Sequence, residues 1–463
     1  MRLFAWLGGR TFASLRNHRN FRLYFASHAV SFAGTWMQQI AAYWLVLDLT
    51  GSPLAVGWLA LAQLLPVTLF GLLVGSVIDR FDVRRLLLVT QPLLIAAAAT
   101  LAVLTLTGAV ALWHVYVLAA FQGLVLVLSN PARHTLVFRI VGEADLPNAV
   151  ALSSALGTMA RIAGPGIGGL VVALAGTGVA FALTSVSHLA VVVALLAMRV
   201  ADLRPYVPPA VQTGFRRSIR VMLSFVRRSR RVAVAFFSVL ALSTVSFNFD
   251  VLLPLLARET LDSDADVFGL IAAVFGAGAL CGALFLATLG KASLRLLLGG
   301  AGAYGVLELA LAPQRSVVGV SVLLFLIGIC YVLWGSSALA SLQLAAPEHL
   351  RGQAASLYFF AFQGGAPLGG LLAGWLTHRG GTGLAFTVAG VSAVVVAVIG
   401  ASSLLSLQPG AADSDLRTMF LGERRDDLGG AGDLVVADQP VGDEADAARV
   451  ALQGQHPLLG QER

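Results

Sequence analysis

The chain has 463 residues, of which 57% are hydrophobic and only 12% charged, with a mean hydropathy of +0.83. Soluble domains carry about a quarter charged residues, so this composition excludes an ordinary water-soluble globule and points to a bilayer as solvent. The formal net charge of +7 does not indicate nucleic-acid binding, because the arginines gather in alternate loops and act as a topology signal.

Residues 1–22 form a basic amphipathic start. Leu3, Phe4, Trp6 and Leu7 suit the headgroup region, and Arg10, Arg16, Arg19 and Arg22 interrupt any cleavable signal. Beyond them, no Asp, Glu, Lys or Arg occurs in 23–47, 49–78, 86–132, 162–198, 232–249, 267–290, 316–347 or 380–412. A spanning helix needs about 20 mostly apolar residues, and several of these runs hold two. Dividing them predicts twelve spans near 23–47, 54–78, 86–107, 111–130, 149–174, 178–198, 232–257, 267–289, 293–312, 316–341, 354–376 and 383–407. The fold class expected is therefore all-α and polytopic, with a six-helix bundle over 23–198 and another over 232–407.

Between the bundles, 199–231 carries nine Arg against Asp202. It reads as an extended Pro-rich piece followed by an amphipathic helix on anionic lipid. Residues 408–463 hold eleven acidic residues against five Arg and no apolar run, the composition of a disordered tail. One set of loops contains Arg16, Arg19, Arg22, Arg80, Arg84, Arg85, Arg133, Arg139, the linker, Lys291, Arg295 and Arg351. The other contains only Arg258, Arg315 and Arg379. The basic side is expected to be cytoplasmic, with both termini on it. Cys281 and Cys330 sit in apolar spans and read as small buried hydrophobes.

The halves echo one another. Asp145-Leu-Pro-Asn-Ala149 leads into Gly164-Pro-Gly-Ile-Gly-Gly-Leu170, and Glu348-His-Leu-Arg-Gly-Gln353 leads into Ala366-Pro-Leu-Gly-Gly-Leu371. Repeated halves are how many secondary transporters build a central site with two alternating openings.

Between spans two and three lies Gly75-Ser-Val-Ile-Asp79-Arg80-Phe-Asp82-Val-Arg84-Arg85. Glycine permits close helix approach, and a carboxylate one turn on can cap a facing helix and pair with the arginines. The stretch resembles the signature loop of the major facilitator superfamily, with Asp82 where Gly is usual. Together with Asn130-Pro-Ala-Arg133, Asp145-Leu-Pro-Asn-Ala149 and Arg161-Ile-Ala-Gly-Pro-Gly-Ile-Gly-Gly169, it resembles the branch containing the enterobactin exporter and macrolide-efflux-like proteins. The resemblance covers residues 15 to about 407.

It implies a gate on the cytoplasmic rim made by Gly75, Asp79, Arg80, Arg84 and Arg85. Asp79→Asn should weaken that gate, whereas Asp82→Gly should be nearly neutral. It also implies that Gly164, Pro165, Gly168 and Gly169 form an antiporter-like helix motif. Related drug–proton antiporters often carry Arg three residues before the Gln-Gly of span four. Here Gln122-Gly123 is preceded by Ala119, so the usual proton relay is missing.

Ionisable groups inside spans are costly and therefore functional candidates. Arg161, Asp250 with its neighbour Asn248, and Glu308 are candidates for the cavity or for coupling, and Gln38 is a further cavity candidate. Gln39, Gln63 and His28 face a cavity or join helices, and His188 reads as a helix–helix contact.

The expected function is export of a small amphipathic molecule by a monomer in the cell membrane. Proton-motive force would drive it, with no cofactor, metal or nucleic acid involved. A nutrient importer on the same fold is the alternative. A membrane enzyme or receptor would need clustered His, Asp or Cys at one depth, and the histidines are scattered.

Overall fold

A computed structural model describes residues 12–71, 81–204, 226–227, 229–289, 293–346 and 351–405. After a short helix α1 (Ala13–Asn17) come α2 (Arg19–Thr50), α3 (Pro53–Phe70) and α4 (Val83–Leu106). α5 (Leu112–Ala197) is an 86-residue stretch of successive helices, separated where the torsions leave the helical region at Gly142 and Gly176. The second half contains α6 (Arg230–Ala241), α7 (Phe249–Leu255), α8 (Ala265–Leu289), α9 (Leu294–Leu311), α10 (Val317–Ala345), α11 (Arg351–Gly364) and α12 (Ala366–Leu405). α12 is broken at Gly380 and Gly381.

Among the described residues, nine helices are long and apolar enough to cross a membrane. Several exceed one crossing: the apolar stretch Leu357–Ser403 is 47 residues long, about twice what a bilayer needs. α2 is not one of the nine despite its 32 residues. It carries buried Asn20, Ser27, His28, Ser31 and Gln38, which lower its hydropathy; Asn20 and Ser31 bond Arg199 and His188 of other segments. In lipid, large apolar side chains gain nothing by burial, and Leu174, Val318 and Leu344 are accordingly exposed on the outside. Cys281 is exposed as well, so it is not the buried hydrophobe expected.

The sequence places a loop over 131–148. The structure instead continues α5 as helix to Gly142, whose φ of 71° only glycine adopts cheaply. A Cβ there would also collide with the Arg204 guanidinium. Arg204 N–H donates to the Arg139 carbonyl at 2.9 Å, and Arg139 Nε returns a bond to the Arg204 carbonyl at 2.9 Å. Because the helix runs on past Pro131, Arg133 is not a loop residue. It is buried, 8% exposed, among α2 and α5.

His18, Asp82, Arg139, Asp145, Arg199 and Arg204 converge at one end of the N-terminal half. Asp48, Arg258 and Asp264 converge at the opposite, arginine-poor end. Asp145 and Asn148 account for their motif. Asp145 Oδ2 bonds His18 Nε2 at 2.7 Å and Asn148 Oδ1 accepts from Ser14 N–H at 3.0 Å, so together they dock α1.

Candidate functional site

The seventh predicted span is not one helix. α6 passes into a π-helical turn, Leu242–Ser246, then Phe247 and Asn248 leave helical torsions before α7 begins. The freed backbone groups find partners inside the bundle, as lipid demands. Tyr304 OH donates to the Ser246 carbonyl at 3.3 Å, Asn248 Nδ2 donates to the Thr244 carbonyl at 3.0 Å, and Ser246 Oγ donates to the Ala389 carbonyl at 2.8 Å. The break aims Phe247, Phe249 and Asp250 into a recess of about 590 Å³, counted to where it opens to solvent.

The other wall of this recess comes from the first half: Trp36, Gln39, Ile40 and Tyr43 of α2, with Pro165 of α5. An aromatic layer backs the site, with Phe247 stacked on Tyr331 at 4.4 Å and Phe249 on Phe275 at 4.9 Å. Asp250 is exposed to this space although it lies inside a spanning segment. A discontinuous helix at the joint of two halves is where transporters place substrate and coupling groups.

The halves touch through two glycine seams. On α5, Gly164 and Gly168 face Trp36 and Met37 of α2 within the same half. Gly166 and Gly169 face α8 across the joint: a Cβ at Gly169 would lie 2.6 Å from both the Ala265 carbonyl oxygen and Gly269 Cα. On α12, a Cβ at Gly374 would lie 2.6 Å from the Pro53 carbonyl oxygen and 3.0 Å from Gly57 Cα. Gly370 packs on Ala60 in the same seam. The Pro-x-x-Gly-Gly and Pro-x-Gly-Gly echoes therefore perform one task twice, letting backbones of opposite halves meet. Beyond them Arg258 bridges Asp48 at 3.6 Å and Asp264 at 3.5 Å and lies over the Trp44 ring. Arg258 and Asp48 are about half exposed and Asp264 mostly exposed, so each pair contributes only about 0–1 kcal/mol.

The remaining candidates divide. Asn248 is buried against Gly369 and does not line the recess. Glu308 is fully buried inside the second half, away from both recesses, with Tyr304 one turn earlier. Glu308→Gln is expected to keep transport within about twofold, because the group lies away from both recesses, and to change thermal stability little, because a carboxamide oxygen can still accept from the neighbouring Tyr304 hydroxyl. Thermal unfolding and transport assays on the variant check this. Gln38 lines a second recess inside the first bundle. The Arg161 side chain and all of Gly75, Asp79 and Arg80 lie outside the described residues.

Arg84 donates Nε to the Leu195 carbonyl at 2.9 Å, which ties two helices of the same half. The backbone N–H of Arg85 donates to Asp82 Oδ1 at 3.0 Å. Asp82 is thus the N-cap of α4, and its Oδ2 accepts from Arg139 Nη1 at 2.7 Å. Asp82→Gly would lose both a side-chain cap and an ion pair. Glycine is itself a fair cap, so the cost is about 1 kcal/mol or less.

Partial burial alone would raise the Asp82 carboxyl. The Arg139 hydrogen bond and the Arg85 N–H outweigh it and hold it below the usual carboxylate range. Asp145 is held low chiefly by its hydrogen bond with His18. A depressed folded-state value means the stabilisation is complete at neutral pH, above the unfolded value of about 3.9, and fades as pH falls through the folded one. An acid titration of unfolding should show a smaller loss between pH 4 and 2, to order of magnitude, in Asp82→Asn than in the wild type.

The transmembrane secretion effector family matches residues 9–423. The staphyloferrin A transporter of Staphylococcus aureus is 22% identical over 57% of this chain and 66% of its own length. Multidrug efflux pump Tap of Mycolicibacterium fortuitum is 26% identical over 79% of this chain and 91% of that protein. Macrolide efflux protein A of Streptococcus pyogenes is 21% identical over 83% and 97%. The crystal structure of the nucleoside transporter NupG superposes with a TM-score of 0.65 at 13% identity, covering 84% of this chain and all of that one, which shows the shared fold. The chain is a multi-pass membrane transporter of the major facilitator superfamily and belongs to its transmembrane secretion effector family.

Proposed function

We propose that the protein is a secondary active exporter of small amphipathic molecules, driven by proton-motive force and working by alternating access. The observation that carries this is the broken helix opening Phe247, Phe249 and Asp250 into an aromatic recess at the joint between the halves. Aromatic faces with one carboxylate favour an amphipathic guest that bears a donor or positive charge. Two of the relatives named above are efflux proteins, which supports outward movement.

In this reading twelve crossings form two bundles in a monomer, the arginine-rich end and both termini are cytoplasmic, and no cofactor is required. The glycine seams and the Arg258 cluster then close the outer side, and the recess serves the cytoplasm. Asp79 with Arg80, Arg84 and Arg85 completes the proposal as the latch for the opposite state.

The test is accumulation of ethidium, erythromycin and tetraphenylphosphonium in cells with and without the protein, before and after an uncoupler. Lower accumulation of at least one probe, abolished by the uncoupler, is expected. Higher accumulation in expressing cells would indicate import instead.

A further inference from the structure

The runs 23–47, 49–78, 86–132 and 162–198 contain no Asp or Glu, and Ala119 stands where related antiporters often have Arg. Any proton exchanged in the membrane interior of the first half therefore needs a histidine. Two histidines lie deep there, His28 and His188, 1% and 4% exposed.

Their surroundings differ. His28 Nδ1 bonds the Tyr24 carbonyl at 2.9 Å, its ring stacks on Tyr24, and it lines neither recess. His188 Nδ1 lies 3.1 Å from both Gln91 Oε1 and Ser31 Oγ, while Gln91 Nε2 donates to Ser129. A carboxamide oxygen only accepts, so Nδ1 carries the proton and neutral His188 keeps its lone pair on Nε2. His188 forms part of the wall of the second recess, beside Gln38, Gln63, Gln122 and Thr35.

Among the described residues Nε2 has no hydrogen-bond partner, and Gln38 and Gln122, each 8% exposed, have none either. Gln39 lines both recesses, so the second recess adjoins the central one. The titratable or charged groups around His188 are His28 and Tyr24 from α2 and Arg133 from α5, and α3 and α4 present only Gln63 and Gln91. No carboxylate is among them.

We infer that His188 Nε2 is the exchangeable-proton site of the transport cycle, and that a hydroxyl- or ammonium-bearing substrate competes with the proton for that one lone pair. This rests on the proposed proton-driven export. When the site faces outward, water delivers a proton to Nε2 and the recess changes from accepting to donating at that atom. When it faces the cytoplasm, Nε2 returns the proton to water and becomes free to accept from the incoming substrate. Exchange follows because one lone pair holds either guest but not both.

The test uses the full chain in proteoliposomes, with ethidium and erythromycin as probes and a pH-sensitive dye inside. His188→Gln keeps an amide to bond Gln91 and Ser31 but cannot titrate in this range. It is expected to lose gradient-driven accumulation by about tenfold and to lose probe-linked proton movement, while probe counterflow without a gradient stays within about twofold. His28→Gln should retain both. Wild-type transport that ignores the gradient would remove the export reading and this proposal with it. Coupled wild-type transport that persists unchanged in His188→Gln would overturn the proposal alone, as would equal losses in both variants.

Discussion

Gly169→Leu is expected to abolish gradient-driven transport while leaving insertion and each bundle intact. A Cβ at this position meets backbone, the Ala265 carbonyl oxygen and Gly269 Cα, both at 2.6 Å. Backbone cannot rotate away as a side chain can, so α5 and α8 must separate. Overpacking costs about 1–3 kcal/mol, enough to shift the balance between the two transport states by about 5- to 150-fold. Gly374→Leu on the α3–α12 seam should act the same way, because Gly57 and Pro53 leave equally little room. The pair separates switching from folding: both variants should purify as monodisperse protein yet expose the arginine-poor end to a membrane-impermeant thiol reagent. Normal transport by Gly169→Leu would show that this seam never opens or closes.

Asp250→Asn is expected to cut transport by at least about tenfold with expression and insertion unchanged. A charge inside a spanning segment is costly, so a passive Asp there would be hard to explain. The break at Phe247 and Asn248 places it on the recess wall opposite Gln39 and Tyr43. If Asp250 contacts substrate while His188 carries the proton, the half-saturating concentration should rise and the proton-to-substrate ratio should persist in Asp250→Asn. Transport measured with substrate titration and proton flux together distinguishes these. A lost ratio with unchanged affinity would move the coupling role to Asp250.

The spans were legible because lipid imposes long charge-free runs: α2, α4, α8, α9 and α10 each lie within a few residues of the predicted span. The Pro-Gly-Gly echoes were legible as motifs, but their shared use emerged only when Gly169 met Gly269 and Gly374 met Gly57. Arg133 was misplaced because a charge following a charge-free run looks like a loop. Pro131 and the long α5 carry it instead along the bundle interior.

Asp250 could be flagged from hydropathy alone. The break that exposes it could not, because Ser246, Asn248, Tyr304 and Ala389 make it tolerable only when they assemble from distant segments. Asp82 looked idle for lack of a visible partner, and Arg139, 57 positions away, supplies one. His188 read as a helix contact. It is one through Nδ1, and the residue also lines the second recess.

The most direct test of the central claim, that one recess between the halves opens to alternate sides, is sided labelling of a cysteine in its wall. Ala272 lines the recess and is small, so Ala272→Cys in a chain lacking Cys281 and Cys330 changes little. The account predicts labelling by an impermeant thiol reagent from the cytoplasmic side at rest. The reactive side should shift outward when a proton gradient or the Gly169→Leu substitution disfavours the state described here. Labelling confined to one side under every condition, or absent from both, would contradict it.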